Sequence, residues 1–230
     1  VSVGPPMRYE EVRDALYPDT GDSEDFSYER VLRLLRFVGG EQASPFRGRV
    51  GIEDFSDRIE PHSPGLRARM WYGGASLRSA QWAGANGLNF LSSNVVRAEE
   101  SEDFAEIQRS HLETFRAHHP AGGAARASQG LVVIPTDGAT PEQQAKYAAY
   151  VEGRTPRTAT PQGPARMMFA RDLMGTSDQI AEALYEDPGF RLVREVVFAL
   201  PFSFAADDYV QILTDIATKL GPALGWRPTA

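Results

Sequence analysis

The 230-residue chain contains no cysteine. This absence excludes a disulfide framework, a thiolate metal site and a catalytic thiol in the residues shown, and it is compatible with the reducing cytoplasm in which we expect the protein to act. The chain also has no apolar run near the roughly 18 residues that indicate a transmembrane helix, and no segment that resembles a signal peptide. We therefore expect no membrane partner.

Basic residues are outnumbered by acidic ones. Lys and Arg total 24 against 31 for Asp and Glu, which gives a net charge of −7. This balance argues against a broad nucleic-acid-binding face, and no nucleic-acid partner is expected. The four histidines, which are His62, His111, His118 and His119, do not stand at metal-ligand spacing with carboxylates. We interpret them as surface or helix-capping residues and expect no metal site.

Short apolar runs alternate with stretches of helical periodicity, which is typical of βα units around a parallel sheet. The sequence predicts strands at the opening residues 1–4 and at 68–72, 88–91, 130–135 and 193–200. It predicts helices over 27–38, 76–86, 101–118, from 140 onward, over 177–185 and over 207–220. Five such units form either an open doubly wound sheet or five-eighths of a barrel, because a complete eight-unit barrel needs about 250 residues. We predict one α/β domain over residues 1–230.

Two segments stand apart from this alternation. Residues 153–166 are dominated by Gly, Arg, Thr and Pro, and we predict a mobile loop or a disordered insert there. The acidic run 99–103 stands where the 101–118 helix begins, and we interpret it as a solvated cap favoured by the helix dipole.

The strongest local motif is the run from Trp71 to Ser79, in which a strand is followed by two glycines and a helix start. Glycines allow close backbone approach to a ligand, and the free N–H groups of a first helical turn attract anions. The hydroxyls of Ser76 and Ser79 stand on that turn. The motif predicts a phosphate pocket at the carboxyl end of a strand, although a βα turn without a ligand is also built from Gly, Gly and Ser.

These residues also resemble a known family. The run Trp71-Tyr72-Gly73-Gly74-Ala75-Ser76, then Ser79-Ala80-Gln81-Trp82-Ala83 and Gly87-Leu88-Asn89-Phe90, is similar to the bacterial luciferase-like flavin monooxygenases. The later Gly175-Thr176 with Gln179-Ile180-Ala181, the segment Leu200-Pro201-Phe202 and the closing Leu220-Gly221-Pro222-Ala223-Leu224 fit the same family in the same order.

The resemblance implies a TIM-barrel-like (β/α)8 relative that is incomplete, with about five parallel βα units equivalent to the fourth to eighth of the barrel. It implies that the first three units are lacking, as in an N-terminally truncated chain, and that Ser2–Gly4 lie near the flavin ring. It further implies that the flavin phosphate is held by Gly73, Gly74, Ala75, Ser76 and Ser79. The catalytic residues stay unknown, because the usual catalytic histidine belongs to an early unit.

By the same resemblance the expected function is a flavin-dependent monooxygenase that uses reduced FMN and O₂ on a small organic substrate. The 153–166 loop would act as a lid, with Arg154, Arg157 and Arg166 as candidates for gripping an anionic substrate. A flavin reductase and a second copy of the chain are expected partners. Two alternatives stay open: an F420-dependent oxidoreductase of the same family, and a non-catalytic shortened flavin-binding or association protein.

Overall fold

A computed structural model describes residues 9–20 and 26–227 of the chain. The predicted opening strand at residues 1–4 lies outside the described residues, as does the expectation that Ser2–Gly4 border a flavin. The chain divides into two units, Val1–Tyr72 and Gly73–Ala230, and each is described by itself.

The first unit contains two helices and a short hairpin. Its elements are α1 (Tyr9–Leu16), α2 (Tyr28–Val38) and the antiparallel pair β1 (Gly48–Val50) and β2 (Glu53–Phe55). Helix α2 begins where the Ser27 hydroxyl accepts a hydrogen bond from the Glu29 amide at 3.2 Å, and it buries Val31 and Leu35. The predicted helix over 27–38 is therefore confirmed.

The second unit alternates strands with helices. In chain order its elements are β3 (Trp71–Gly74, whose first two residues belong to the first unit), α3 (Leu77–Ala85), β4 (Asn89–Ser92), β5 (Val95–Arg97), α4 (Phe104–His118), β6 (Ala127–Pro135), α5 (Pro141–Ala159), β7 (Met167–Phe169), β8 (Asp172–Gly175), α6 (Ser177–Glu186), β9 (Glu195–Ala199), α7 (Ala206–Asp215) and α8 (Gly221–Ala223). A π-helical turn, Ile216–Leu220, joins α7 to α8.

Strand β6 is the centre of a five-stranded sheet in the order β3-β4-β6-β8, with β9 also paired to β6. Strands β4, β8 and β9 all run parallel to β6. Strand β9 pairs with residues 128–132 of β6, and strand β8 pairs with residues 132–135. The two strands therefore pair with successive parts of β6. Within the described residues the sheet does not close into a barrel. The prediction of an incomplete α/β fold of parallel βα units is confirmed.

All nine residues of β6 are buried, because helices cover both of its faces. Leu131 and Val133 pack with α6 residues in one apolar cluster. Ile134, which points to the opposite face, packs against Tyr147 of α5 and Ile212 of α7. Residues 130–135 are the apolar run expected of such a strand, and the strand is longer than predicted because the buried Ser128 and Gln129 also belong to it.

Three predictions about elements need correction. The strand expected over 68–72 begins at Trp71, and a 3₁₀ turn occupies 67–69. The described sheet reaches five strands through β8, which the sequence analysis did not predict. The segment 153–166 is not an irregular loop throughout, because helix α5 continues to Ala159 with Pro156 inside it. The side chains of Arg154 and Arg157 join this last part of α5 to Asp172 of β8 and to Phe169 of β7.

Candidate functional site

The predicted phosphate turn lies between β3 and α3 and is closed by its own serines. Ser76 is the N-cap of α3, and its hydroxyl accepts a hydrogen bond from the Ser79 amide at 3.2 Å. The Ser79 hydroxyl in return accepts from the Ser76 amide at 3.0 Å and donates to the Ser76 carbonyl at 2.7 Å. This reciprocal capping box satisfies two of the amides that begin the helix. Both hydroxyls therefore serve the turn itself.

The two glycines of this turn have different surroundings. A Cβ on Gly74 would lie 2.5 Å from the Ser79 hydroxyl oxygen and 2.7 Å from a ring carbon of Phe90. A Cβ on Gly73 would meet no atom of the described residues within 4 Å. Gly74 is therefore required by packing within the protein, whereas Gly73 leaves open space on its side of the turn.

Glu99 binds an amide of the first turn of α3 that the capping box does not use. Its Oε2 accepts a hydrogen bond from the Leu77 amide, the first of α3, at 2.7 Å. The helix dipole favours a negative charge at this position. The acidic run was interpreted as a cap of the following helix. Asp103 fills that role by accepting from the Ala105 amide at 2.9 Å, but Glu99 caps α3 instead.

The end of strand β5 brings a cation to the same turn. The Arg97 amide donates to the Ala75 carbonyl at 2.8 Å, which joins the strand to the turn. Arg97 is exposed, and its guanidinium has no hydrogen bond or ion pair among the described residues. Arg97, Glu99 and Arg166 line a cavity of about 460 Å³. The turn therefore lies beside a basic hollow that already contains one carboxylate.

His111 of α4 lies behind Glu99 and is fully buried. Its Nδ1 is 3.4 Å from the Ser92 hydroxyl, and its Nε2 is 3.9 Å from Glu99 Oε2. That separation is too long for a hydrogen bond, and Nε2 has no partner within the described part of the chain. Burial lowers the pKa of His111 to about 4, so the ring is neutral at pH 7. The interpretation of His111 as a surface or capping residue is therefore wrong.

The three arginines predicted to grip a substrate are not gathered at one point. Arg154 donates to the buried Asp172 carboxylate at 2.7 Å, and Arg157 lies 4.4 Å from the ring centre of Phe169. Burial raises the pKa of Asp172, and the hydrogen bond from Arg154 opposes that shift. The other arginine, Arg166, donates to the Ala98 carbonyl at 3.1 Å and to the Glu102 carboxylate at 2.6 Å. Only Arg166 lies at the hollow beside the turn, and substrate binding by the three stays a prediction.

Another cavity, of about 840 Å³, is lined by apolar groups that include Phe190, Val196, Phe198 and Trp226. Its lining includes residues 193–194, which precede β9, and Glu195, Val196 and Phe198 of that strand, but not Ala199, with which the strand ends. Parallel α/β folds bind their ligands at the carboxyl ends of the strands. The turn after β3 is therefore the better candidate for a functional site.

Residues 9–20 and 26–227 form neither a cluster of metal ligands nor a helix that could span a membrane. Within them, no three His, Asp or Glu side chains gather as metal ligands would. No helix in those ranges has the length and apolarity that crossing a bilayer requires.

The structure defines an α/β protein of parallel βα units, in which a carboxylate of the protein caps the N-terminus of the helix after β3. Among solved structures, the chain is similar to apo-MsnO8, with a TM-score of 0.58 and 18% identity over 98% of this chain and 76% of that one. It is also similar to the monooxygenase RslO1 from Streptomyces bottropensis, with a TM-score of 0.60 and 14% identity over 96% of this chain and 67% of that one. Both have TIM-barrel-like folds of the luciferase-like type.

At these identities the similarity shows the fold alone. It agrees with the family resemblance found in the sequence, which concerns the same fold type. No protein-family model matches the chain, and no curated protein matches it significantly.

Proposed function

We propose that the protein is a flavin-dependent oxidoreductase, and specifically a monooxygenase that uses reduced FMN and O₂ on a small organic substrate. The observation that carries this proposal is the similarity in fold, over 96% of the chain, to the monooxygenase RslO1. The motif after β3 supports it, because that motif resembles the flavin-phosphate turn of the luciferase-like family.

The chemistry of the turn suits a phosphate oxygen. A carboxylate oxygen already accepts from the Leu77 amide at 2.7 Å, so the first turn of α3 does attract an anion. The open side of Gly73 allows a ligand to approach the backbone. When bound, the flavin supplies the two electrons with which O₂ yields one oxygen atom for the substrate and one water.

The chain's own residues would anchor and orient this group. The nine-residue helix α3 directs its dipole at the phosphate, and Arg97 adds a positive charge beside the turn. F420 carries a phosphate as well and is the alternative cofactor for the same residues. Reduced flavin would come from a flavin reductase.

A non-catalytic protein is the second candidate, and the position of Glu99 favours it. With the Leu77 amide already bound by a carboxylate of the protein, the fold completes this turn without a ligand. A chain that never binds flavin would show the same arrangement.

Flavin binding tests the proposal directly. FMN, F420 and riboflavin are titrated into the protein by fluorescence quenching, and we expect FMN or F420 to bind more tightly than riboflavin, which has no phosphate. Gly73→Leu should weaken that binding at least tenfold, because its side chain fills the approach to the turn.

Gly123→Leu is the matched control, since its Cβ also meets no described atom within 4 Å but lies in a different turn. Oxygen consumption with a flavin reductase, NADH and candidate substrates then tests the monooxygenase activity. Absence of binding by all three flavins would contradict the proposal and favour the non-catalytic candidate.

A further inference from the structure

The candidate phosphate site contains two donors that face one carboxylate oxygen. The Leu77 amide lies 2.7 Å from Glu99 Oε2 and is satisfied. His111 Nε2 lies 3.9 Å from the same oxygen and is not. The Ser92 hydroxyl lies 3.4 Å from Nδ1, and in the tautomer in which it donates to that nitrogen the ring proton is on Nε2, which is then a donor. We assign this tautomer to His111. Glu99 therefore accepts a hydrogen bond from one of the two donors, the Leu77 amide, and leaves His111 Nε2 without a partner among the described residues.

A buried donor without a partner is costly, so such groups are uncommon in folded proteins. The His111 side chain is fully buried, and its free Nε2 points at the carboxylate that binds α3. A phosphate group has three terminal oxygens, so it can accept hydrogen bonds from several donors at once. Glu99 Oε2 lies 3.9 Å from His111 Nε2 and accepts no hydrogen bond from it. The hollow of about 460 Å³ beside Glu99 provides space on the protein surface.

The charge of Arg97 also favours a phosphate over the Glu99 carboxylate at the α3 N-terminus. Arg97 lines the hollow with no carboxylate paired to its guanidinium in the described ranges. Glu99 is attached to a short segment after β5, and its side chain is 26% exposed, so it can rotate towards solvent without unpacking the core. The carboxylate is therefore displaceable, whereas the amide and the imidazole belong to fixed helices.

We propose that Glu99 is an internal anion that occupies the α3 N-terminus until the phosphate group of a ligand displaces it. The incoming phosphate binds the Leu77 amide, reaches the donor of His111 and gains the charge of Arg97. Glu99 thereby sets the affinity of the site, because every anion must compete with it. This inference rests on the proposed function, since it concerns the same phosphate site.

The test uses inorganic phosphate as the probe and calorimetric titration as the measurement. Glu99→Ala should bind phosphate about tenfold more tightly than the wild type, because the net value of one charge-assisted hydrogen bond corresponds to about that factor in a binding constant. Glu100→Ala is the matched control. Glu100 is the adjacent exposed carboxylate, and its removal changes net charge equally without opening the amide.

Equal phosphate affinity in the wild type and Glu99→Ala would overturn the proposal. An equal gain in Glu100→Ala would also overturn it, because net charge alone would then explain the effect. So would the absence of phosphate binding in all variants. Glu99→Gln retains the acceptor without the charge and should bind with intermediate affinity, and it replaces the alanine variant if circular dichroism shows that the latter does not fold.

A second titration separates this inference from the proposed function. FMN should bind Glu99→Ala about tenfold more tightly than the wild type, whereas riboflavin should bind both equally. If phosphate binding improves but no flavin binds, the inference stands and the proposed function fails. If FMN binds the wild type and Glu99→Ala brings no gain for FMN or phosphate, the proposed function stands and the inference fails.

Discussion

The buried imidazole of His111 should make the protein lose stability in mild acid. Burial lowers its pKa from 6.5 to about 4 in the folded protein. The unfolded chain therefore takes up a proton at a pH where the folded protein does not, and unfolding becomes more favourable as pH falls. The stabilisation is complete above about pH 6.5 and is lost between about pH 6.5 and about pH 4.

The size of this effect follows from the two pKa values. Each pKa unit corresponds to 1.36 kcal/mol, so a shift of about 2.5 units is worth about 3 kcal/mol in total. Between about pH 7.5 and about pH 5, the free energy of unfolding should fall by about 2 kcal/mol through His111 alone. Stabilities of small proteins are typically about 5–15 kcal/mol, so the loss is readily measured.

Urea unfolding followed by circular dichroism at both pH values measures this difference. His111→Gln should remove most of the pH dependence, because glutamine does not titrate. His118→Gln, which changes an exposed histidine of the same helix, should keep the wild-type pH dependence. Equal pH dependence in the wild type and in His111→Gln would refute the reasoning, whatever the absolute stability of the variant.

Two further predictions concern packing and charge. Gly74→Ala should cost about 1–3 kcal/mol, because its Cβ would lie 2.5 Å from the Ser79 hydroxyl oxygen, whereas Gly73→Ala should be nearly neutral. Urea midpoints of the two variants measure this, and equal stabilities would contradict the assigned packing. Asp172→Ala should cost about 3 kcal/mol, because it leaves the Arg154 guanidinium, only 16% exposed, without its carboxylate. The double variant with Arg154→Met should recover part of that loss, and a double variant as unstable as the sum of both singles would argue against the ion pair.

Helix starts were the features that local sequence predicted best. The Thr140-Pro141 start and the Thr176 start both have a glutamine three residues after the cap, and both form capping boxes in the structure. Residues 130–135 of strand β6 were equally predictable because they form an apolar run, whereas the buried but polar Ser128 and Gln129 lay outside the predicted strand. These signals involve neighbours within four residues, so one sequence contains them completely.

Local sequence did not predict strand β8 or the end of helix α5. Strand β8 has four residues, begins with an aspartate and ends with a glycine. Its place in the sheet depends on pairing with β6, and its buried aspartate is paired with Arg154, 18 residues earlier in the chain. Helix α5 continues past Gly153 and through Pro156, although both weaken a helix, because Arg154 pairs with β8 and Arg157 packs on β7.

The candidate turn shows the same division. Two glycines followed by serines at a helix start predicted a phosphate-binding turn, and phosphate binding there stays a prediction. In the structure the Leu77 amide of that turn donates to a carboxylate of the protein itself. The position of His111 was partly readable, since Ile107 and Phe115 stand four residues away on either side and both are buried. That the anion is Glu99, 22 residues from the amide it binds, was not readable.

By itself, then, the sequence determined the alternation of strands and helices, their capped starts and the place of the βα turn after β3. These follow from backbone conformation and hydrophobic periodicity, which act over a few residues. The tertiary structure alone decided which strands share β6, which arginines become paired and which carboxylate occupies the helix N-terminus. Each of those outcomes depends on two groups distant in the chain meeting in a place where water is excluded, and burial makes their pairing strong enough to override local preference.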